Sequence, residues 1–211
     1  MTAGRRAESV RQSFDRRAPR YGRNPLTHWV GRSELVALRA LIPPAPQPGI
    51  TPALDFGCGS GQATRLLLEC GYRTTGYDLS LSMLGLAQSA LGHHSNVTFT
   101  ANRQELPNDW PLIISLGVLD YYPDTAPLWQ EWRNLLAPGG VLVVTAPNAA
   151  SPLAWLYALV SRFTCPAYPA SAGQLNRESG QAGLVITDRC AAFPDHPWLG
   201  HTLVLRLRRP G

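Results

Sequence analysis

Leu54-Asp55-Phe56-Gly57-Cys58-Gly59-Ser60-Gly61, followed at the end of the next apolar run by Tyr77-Asp78, carries more information than the rest of the chain. An apolar run ending in closely spaced glycines reads as a strand that turns sharply into a helix, because glycine accepts left-handed backbone angles and lets a ligand approach closely. Asp78 closes the next run, where a carboxylate can take the two hydroxyls of a ribose. The stretch is therefore a nucleotide-binding loop, and its spacing asks which nucleotide. A dinucleotide fingerprint reads G-x-G-x-x-G and sets a pyrophosphate on a helix N-terminus. Here the run is G-x-G-x-G, one residue shorter, and Asp55 beside it would repel a pyrophosphate and suits a cationic ligand.

After this loop, short apolar runs alternate with helix-like segments. Strands are expected near 52–57, 73–78, 96–100, 111–117 and 140–146, and helices over 61–69, 82–91 and 125–137. Such alternation predicts an α/β fold, a mostly parallel sheet with helices on both faces. Residues 184–193 and 202–209 are two further strand-like runs with no long helical pattern between them, so they should pair antiparallel at one edge. Upstream, Ala7, Val10, Phe14, Ala18 and Tyr21 recur at helical steps, and Pro19 should end or kink that amphipathic helix. A second helical pattern covers about 27–41, and the proline run from Pro43 to Gly49 forces an extended linker. The expected organisation is an N-terminal helical segment and linker over 1–48 and one compact core over 49–211.

The 211 residues suffice for one ordinary domain, and 45% hydrophobic residues with six Trp exclude a disordered chain. No apolar run approaches the length of a transmembrane segment, and Met1–Arg6 leads into charged residues, which argues against a signal peptide and for a cytoplasmic site. Cys58, Cys70, Cys165 and Cys190 form no C-x-x-C pair and lack histidines at ligand spacing, so no metal is expected. All nineteen basic residues are Arg, which excludes Schiff-base chemistry on a lysine. Seven of those arginines fall within residues 1–23, so the net charge of +5 lies in the N-terminal segment. Such an arm can attract an anionic partner, but more often it is a solvated helix face.

The shortened loop with its flanking acid resembles motif I of the class I S-adenosylmethionine-dependent methyltransferases. Further matches are Asp78-Leu79-Ser80-Leu81-Ser82-Met83, the run Leu116 to Asp124, and Leu135 to Leu142 with its Pro-Gly-Gly turn. The segment Phe14-Asp15 to Tyr21 looks like the F-D-x-x-A-x-x-Y lid of the small-molecule branch that includes quinone-biosynthesis enzymes. The resemblance implies a Rossmann-like doubly wound sheet of seven strands, with an antiparallel last strand and an N-terminal helical lid. It implies S-adenosyl-L-methionine as cofactor, bound through Asp55, Gly57, Cys58, Gly59, Gly61, Asp78, Leu79, Met83, Asn102, Arg103, Ser115 and Leu116. Two positions depart from the family pattern. Asn102 stands where an adenine-binding Asp is common, and Trp110-Pro111 replaces the Phe-Asp that usually opens the fourth strand. An Asn amide can still pair with adenine, and Pro is tolerated at a strand start.

The implied activity is methyl transfer to a small, hydrophobic or aromatic acceptor; a non-catalytic cofactor-binding accessory protein of the same fold is the alternative. Tyr21, Asp120 and Tyr121 are the first candidates for catalytic groups, with His28, Tyr122 and His196 beside them. The segment Pro152 to Val160 sits where the family builds acceptor inserts, so Trp155, Tyr157 and Phe163 are candidate pocket walls; a buried helix is an equally open reading, and a membrane-surface or dimer contact a further one. A nucleic-acid acceptor is disfavoured, because Leu116-Gly117-Val118-Leu119 stands where exocyclic-amine enzymes carry Asn/Asp-Pro-Pro-aromatic. A nicotinamide dinucleotide is disfavoured by the short loop. Neither the identity of the acceptor nor the oligomeric state follows from the chain.

Overall fold

The structure, a computed structural model, describes residues 3–21, 25–193 and 200–211, with the side chains of Ala3 and residues 25–30 left aside. Seven strands form one sheet: β1 (Pro52–Phe56), β2 (Arg73–Tyr77), β3 (Val97–Thr100), β4 (Trp110–Ser115), β5 (Leu136–Pro147), β6 (Val185–Ala192) and β7 (Thr202–Arg208). Their order is β3-β2-β1-β4-β5-β7-β6. The pairs β1–β2, β1–β4, β2–β3 and β4–β5 are parallel, whereas β7 runs antiparallel to both β5 and β6. The expected antiparallel pair thus forms at one edge, with the last strand inserted beside β5.

Both faces of the sheet are covered, which explains why the central strands read as nearly continuous apolar runs rather than alternating ones. Along β4, Ile113 packs with Leu54, Phe56, Trp129 and Trp132 on one face, while Leu112 and Ile114 pack with Leu67 and Leu38 on the other. Helices α5 (Ala126–Leu135) and α7 (Ala172–Gln181) cover the first face; α2 (Pro25–Leu41) and α3 (Gln62–Glu69) cover the second. Helix α4 (Leu81–Leu91) carries β2 into β3. Helix α2 has two duties, since Leu38 enters the core, as does Ile42 just past its end, while Glu34 reaches the cavity described below.

The N-terminal helix α1 (Ala3–Arg17) stops before Pro19 and passes into a 3-10 turn, Ala18–Arg20. Proline has no amide to donate and clashes with the preceding turn, so the stop is local in origin. Pro111 lies at a register shift between β4 and β5, where its missing amide costs no ladder bond. Helix α7 has no counterpart in the apolar pattern. Its sequence AGQLNRESGQ buries only Leu175 and Ser179, and it starts on a cap in which Ser171 Oγ accepts from Gln174 N–H. No described helix is long and apolar enough to cross a membrane.

Ile113 is fully buried at the centre of the sheet. Truncating it as Ile113→Ala should cost about 2–5 kcal/mol, read as a lower denaturation midpoint with an unchanged slope.

Candidate active site

The loop after β1 takes its shape from three left-handed glycines, Gly57 at φ 79, Gly59 at φ 54 and Gly61 at φ 86. Its amides are used within the protein. Gly57 and Cys58 both donate to the Tyr77 carbonyl at 2.7 and 2.9 Å, Gly61 donates to the Cys58 carbonyl at 2.9 Å, and Gly59 donates to Asp78 Oδ2 at 2.9 Å. A phosphate cradle needs such amides free. This loop fits a ligand without phosphate.

Asp78 Oδ1 accepts from Ser80 N–H at 2.8 Å. Each carboxylate oxygen therefore holds one amide and keeps a lone pair for a ribose hydroxyl. Burial raises the Asp78 carboxyl above its usual range, against the pull of those two amides. Asp55 is fully buried; Oδ2 accepts from Thr64 Oγ1 at 2.6 Å and Oδ1 has no partner. Burial pushes it to about 7, with the nearby Asp78 adding to the rise. An orphaned carboxylate oxygen beside the loop suits a cationic group, and together with Asp78 it fits an adenosine carrying a charged amino-acid end.

A cavity of about 1140 Å³ opens from this loop, enough for more than one ordinary small ligand. Among the residues anticipated from the sequence, Tyr21, Asp55, Gly57, Cys58, Gly59, Asp78, Leu79, Leu116, Asp120 and Tyr121 line it, as does Tyr122. Gly61, Met83, Asn102, Arg103 and Ser115 do not. Met83 is buried beneath the loop and Ser115 Oγ donates to the Phe56 carbonyl. Asn102 caps a 3-10 turn by accepting from Gln104 N–H, and Arg103 pairs with Glu131 at 2.7 Å. The His28 side chain and His196 lie outside the described residues.

Helix α1 roofs the cavity. Arg6 is buried and donates through Nε to the Tyr121 carbonyl at 2.6 Å and through Nη2 to the Pro166 carbonyl at 3.0 Å. Asp15 Oδ1 accepts from Ser80 Oγ at 2.6 Å, which fastens the roof next to Asp78. Phe14 meets the Tyr121 ring edge-on at 5.3 Å, and Arg17 lies over Phe14 at 4.5 Å. Two arginines of the basic segment, Arg6 and Arg17, are thus engaged against the body of the molecule.

At the far end, helix α6 (Pro152–Ser161) supplies Leu153, Leu156, Tyr157 and Val160 as walls, whereas Trp155 and Phe163 face solvent. Tyr121 Oη lies 3.3 Å from Tyr157 Oη. Burial pushes Asp120 to about 8, with Glu34 contributing, and burial also raises Glu34. Thr202 Oγ1 donates to Glu34 Oε1 and stands 2.9 Å from His201 Nδ1. Glu34, Thr202 and His201 drew no attention as sequence, because nothing local marks a Thr in a strand or a Glu in a helix as a pair. Among the described residues, no group of His, Cys, Asp and Glu could hold a metal ion.

A family model described as a methyltransferase domain matches residues 54–142, the span from β1 into β5. Over that span the likeness is to a methyltransferase domain. A ubiquinone biosynthesis O-methyltransferase of Pseudomonas aeruginosa (strain UCBPP-PA14) is 26% identical over 113 residues, covering 51% of this chain and 48% of that protein. The chain therefore spans about half the length of the curated relatives it matches. Over its whole length the fold is similar to the 1,6-didemethyltoxoflavin N1-methyltransferase of Burkholderia thailandensis (TM-score 0.74, 20% identity, 100% of this chain and 92% of that one). The magnesium protoporphyrin IX methyltransferase of Synechocystis PCC 6803, solved with S-adenosylhomocysteine, gives a TM-score of 0.71 at 20% identity, covering 97% of this chain and 99% of that one. At that identity the likeness is one of fold.

Within the matched span, a Cβ on Gly57 would sit 2.3 Å from Val118 Cγ2 at a left-handed φ. Gly57→Ala should destabilise the protein by about 1–3 kcal/mol and abolish adenosyl-ligand binding, as followed by thermal melting and calorimetry.

The Asp55 carboxyl titrates near 7 in the folded protein against 3.8 as its ordinary value, so the folded state holds more protons between those limits. Stability of the ligand-free protein should fall as pH rises from about 4 to about 7. Asp55→Asn should flatten part of that slope in melting curves, while Asp78, Glu34 and Asp120, which are also raised, maintain the rest.

Proposed function

We propose that this protein transfers a methyl group from S-adenosylmethionine to a small apolar or aromatic acceptor. The observation that carries this reading is the single cavity that joins two unlike ends. One end has the loop, Asp55 and Asp78; the other has Phe14, Tyr121, Leu153, Leu156 and Val160 under the α1 roof. The bound sulfonium supplies a methyl carbon with a good leaving group, so the protein has chiefly to align the acceptor and exclude water. Asp78 holds the ribose and Asp55 faces the cationic end. The aromatic and aliphatic walls fix the acceptor, and α1, fastened through Arg6 and Asp15, shuts out solvent.

The matched relatives support a small-molecule acceptor by their names, which concern ubiquinone biosynthesis and a toxoflavin precursor. The burial of Arg6 and the pairing of Arg11 with Glu8 and Asp15 on its own helix speak against a basic face for nucleic acid. The solvent side of α6, with Trp155, Leu159 and Phe163 exposed, supports a peripheral membrane contact beside the apolar end.

Calorimetric titration tests the reading. S-adenosylhomocysteine and S-adenosylmethionine should bind while NAD does not, and the Asp78→Ala variant should lose both adenosyl ligands. Binding without transfer to any apolar acceptor would favour the accessory-protein alternative, and tight binding of NAD would overturn the assignment.

A further inference from the structure

The acceptor end of the cavity contains a chain of three side chains that the reading above leaves unused. Glu34 on α2, Thr202 at the start of β7 and His201 just before it come from positions far apart in sequence and meet in one line. Glu34 and His201 line the cavity, and Thr202 lies between them, itself buried. The His201 backbone is held on both sides, its amide donating to the Phe193 carbonyl at 2.6 Å and its carbonyl accepting from Asn148 N–H at 2.8 Å. Its ring stands edge-on to Tyr157 with centroids 5.5 Å apart.

The proton count in this chain fixes the state of the imidazole. A hydroxyl carries one hydrogen, and Thr202 gives it to the Glu34 carboxylate, the stronger acceptor. Thr202 Oγ1 can then meet His201 Nδ1 only as an acceptor, so Nδ1 carries the hydrogen. That leaves the lone pair of the neutral ring on Nε2, which has no hydrogen-bond partner among the described residues, on a side chain that lines the acceptor end.

We propose that His201 is the base that takes the proton from the methyl acceptor, with Thr202 and Glu34 as the residues that hold it in the Nδ1–H form. The proposal rests on the methyltransferase reading and narrows the acceptor to one whose reacting atom is a hydroxyl oxygen or an N–H nitrogen. As the acceptor atom forms its bond to the methyl carbon, the carbon–sulfur bond breaks and its electron pair stays on sulfur. The acceptor proton passes to His201 Nε2. The imidazolium so formed is stabilised through Thr202 by Glu34, as an acid behind a histidine stabilises it elsewhere. Burial lowers the His201 pKa and keeps the ring neutral and ready at physiological pH. Besides Thr202 and Glu34, the titratable group against the ring is Tyr157 on α6, whose own surroundings include Asp120, Tyr121 and Arg17. Asp120 is itself held largely protonated at neutral pH, since burial and Glu34 push it to about 8, which leaves the imidazole as the better acceptor.

Two readouts test this, both independent of turnover. In nitrogen-15 spectra of histidine-labelled protein, with His201 assigned by its loss in His201→Asn, the ring should show Nδ1 protonated and Nε2 bare at pH 8. Thr202→Val should mix the two tautomers. The second readout uses 4-nitrophenol, a flat apolar phenol whose ionisation is visible, added to the complex with S-adenosylhomocysteine. Bound to the wild type it should ionise at a pH about one unit or more below that seen in His201→Asn. Equal ionisation in the two proteins, failure of the phenol to bind, or an Nε2-protonated ring would overturn the assignment. Unchanged S-adenosylhomocysteine binding by His201→Asn shows that the variant is folded. Loss of that binding in the wild type would instead count against the methyltransferase reading, and the tautomer would still decide the role of His201.

Discussion

Two amides on one carboxylate organise the site. Gly59 and Ser80 donate to opposite oxygens of Asp78, while Gly57 and Cys58 share the carbonyl of Tyr77 just before it. The ends of β1 and β2 are thereby joined beside the point, between β1 and β4, where the strand order reverses, the place at which open α/β sheets bind ligands. The same bonds use up the loop amides that would otherwise attract phosphate. Selection for a ribose-bearing ligand without phosphate thus follows from which acceptors the loop amides satisfy, beyond the number of its glycines.

The second constraint is the roof. An isolated helix of fifteen residues is marginal in water, so α1 depends on what it touches. Arg6 and Asp15 provide polar anchors at two distant points, and Phe14 supplies the apolar one against Tyr121. The anchors couple roof and floor: Asp15 holds Ser80, whose backbone amide holds Asp78, and Arg6 holds the carbonyl of Tyr121, whose ring forms part of the acceptor wall. The acids at the two ends of the cavity sit in similar surroundings but with different partners. Asp55 and Asp78 are braced by Thr64 and by loop amides, whereas at Asp120 burial and the field of Glu34 outweigh a bond from its own backbone amide. Buried carboxylates with few donors hold their protons, which separates a cation-facing end from an end where a histidine can act as base.

What the sequence by itself determined is local in physical origin. Glycine spacing, a proline that ends a helix and apolar runs of strand length act within a few residues, so the loop at 57–61, the stop before Pro19 and the order of strands were legible without coordinates. Asp78 belongs with them because its place at a strand end follows from that order. Helix α7 was not legible, since it buries little and its signal is one capping serine. The chain of Glu34, Thr202 and His201 was decided by the tertiary structure alone. Its members are separated by up to 168 positions, and only the insertion of β7 beside β5, with α2 packed across it, brings an ordinary Glu, Thr and His into line. Side-chain chemistry at such separation depends on which surfaces are buried together, and that is a property of the packed sheet rather than of any segment within it.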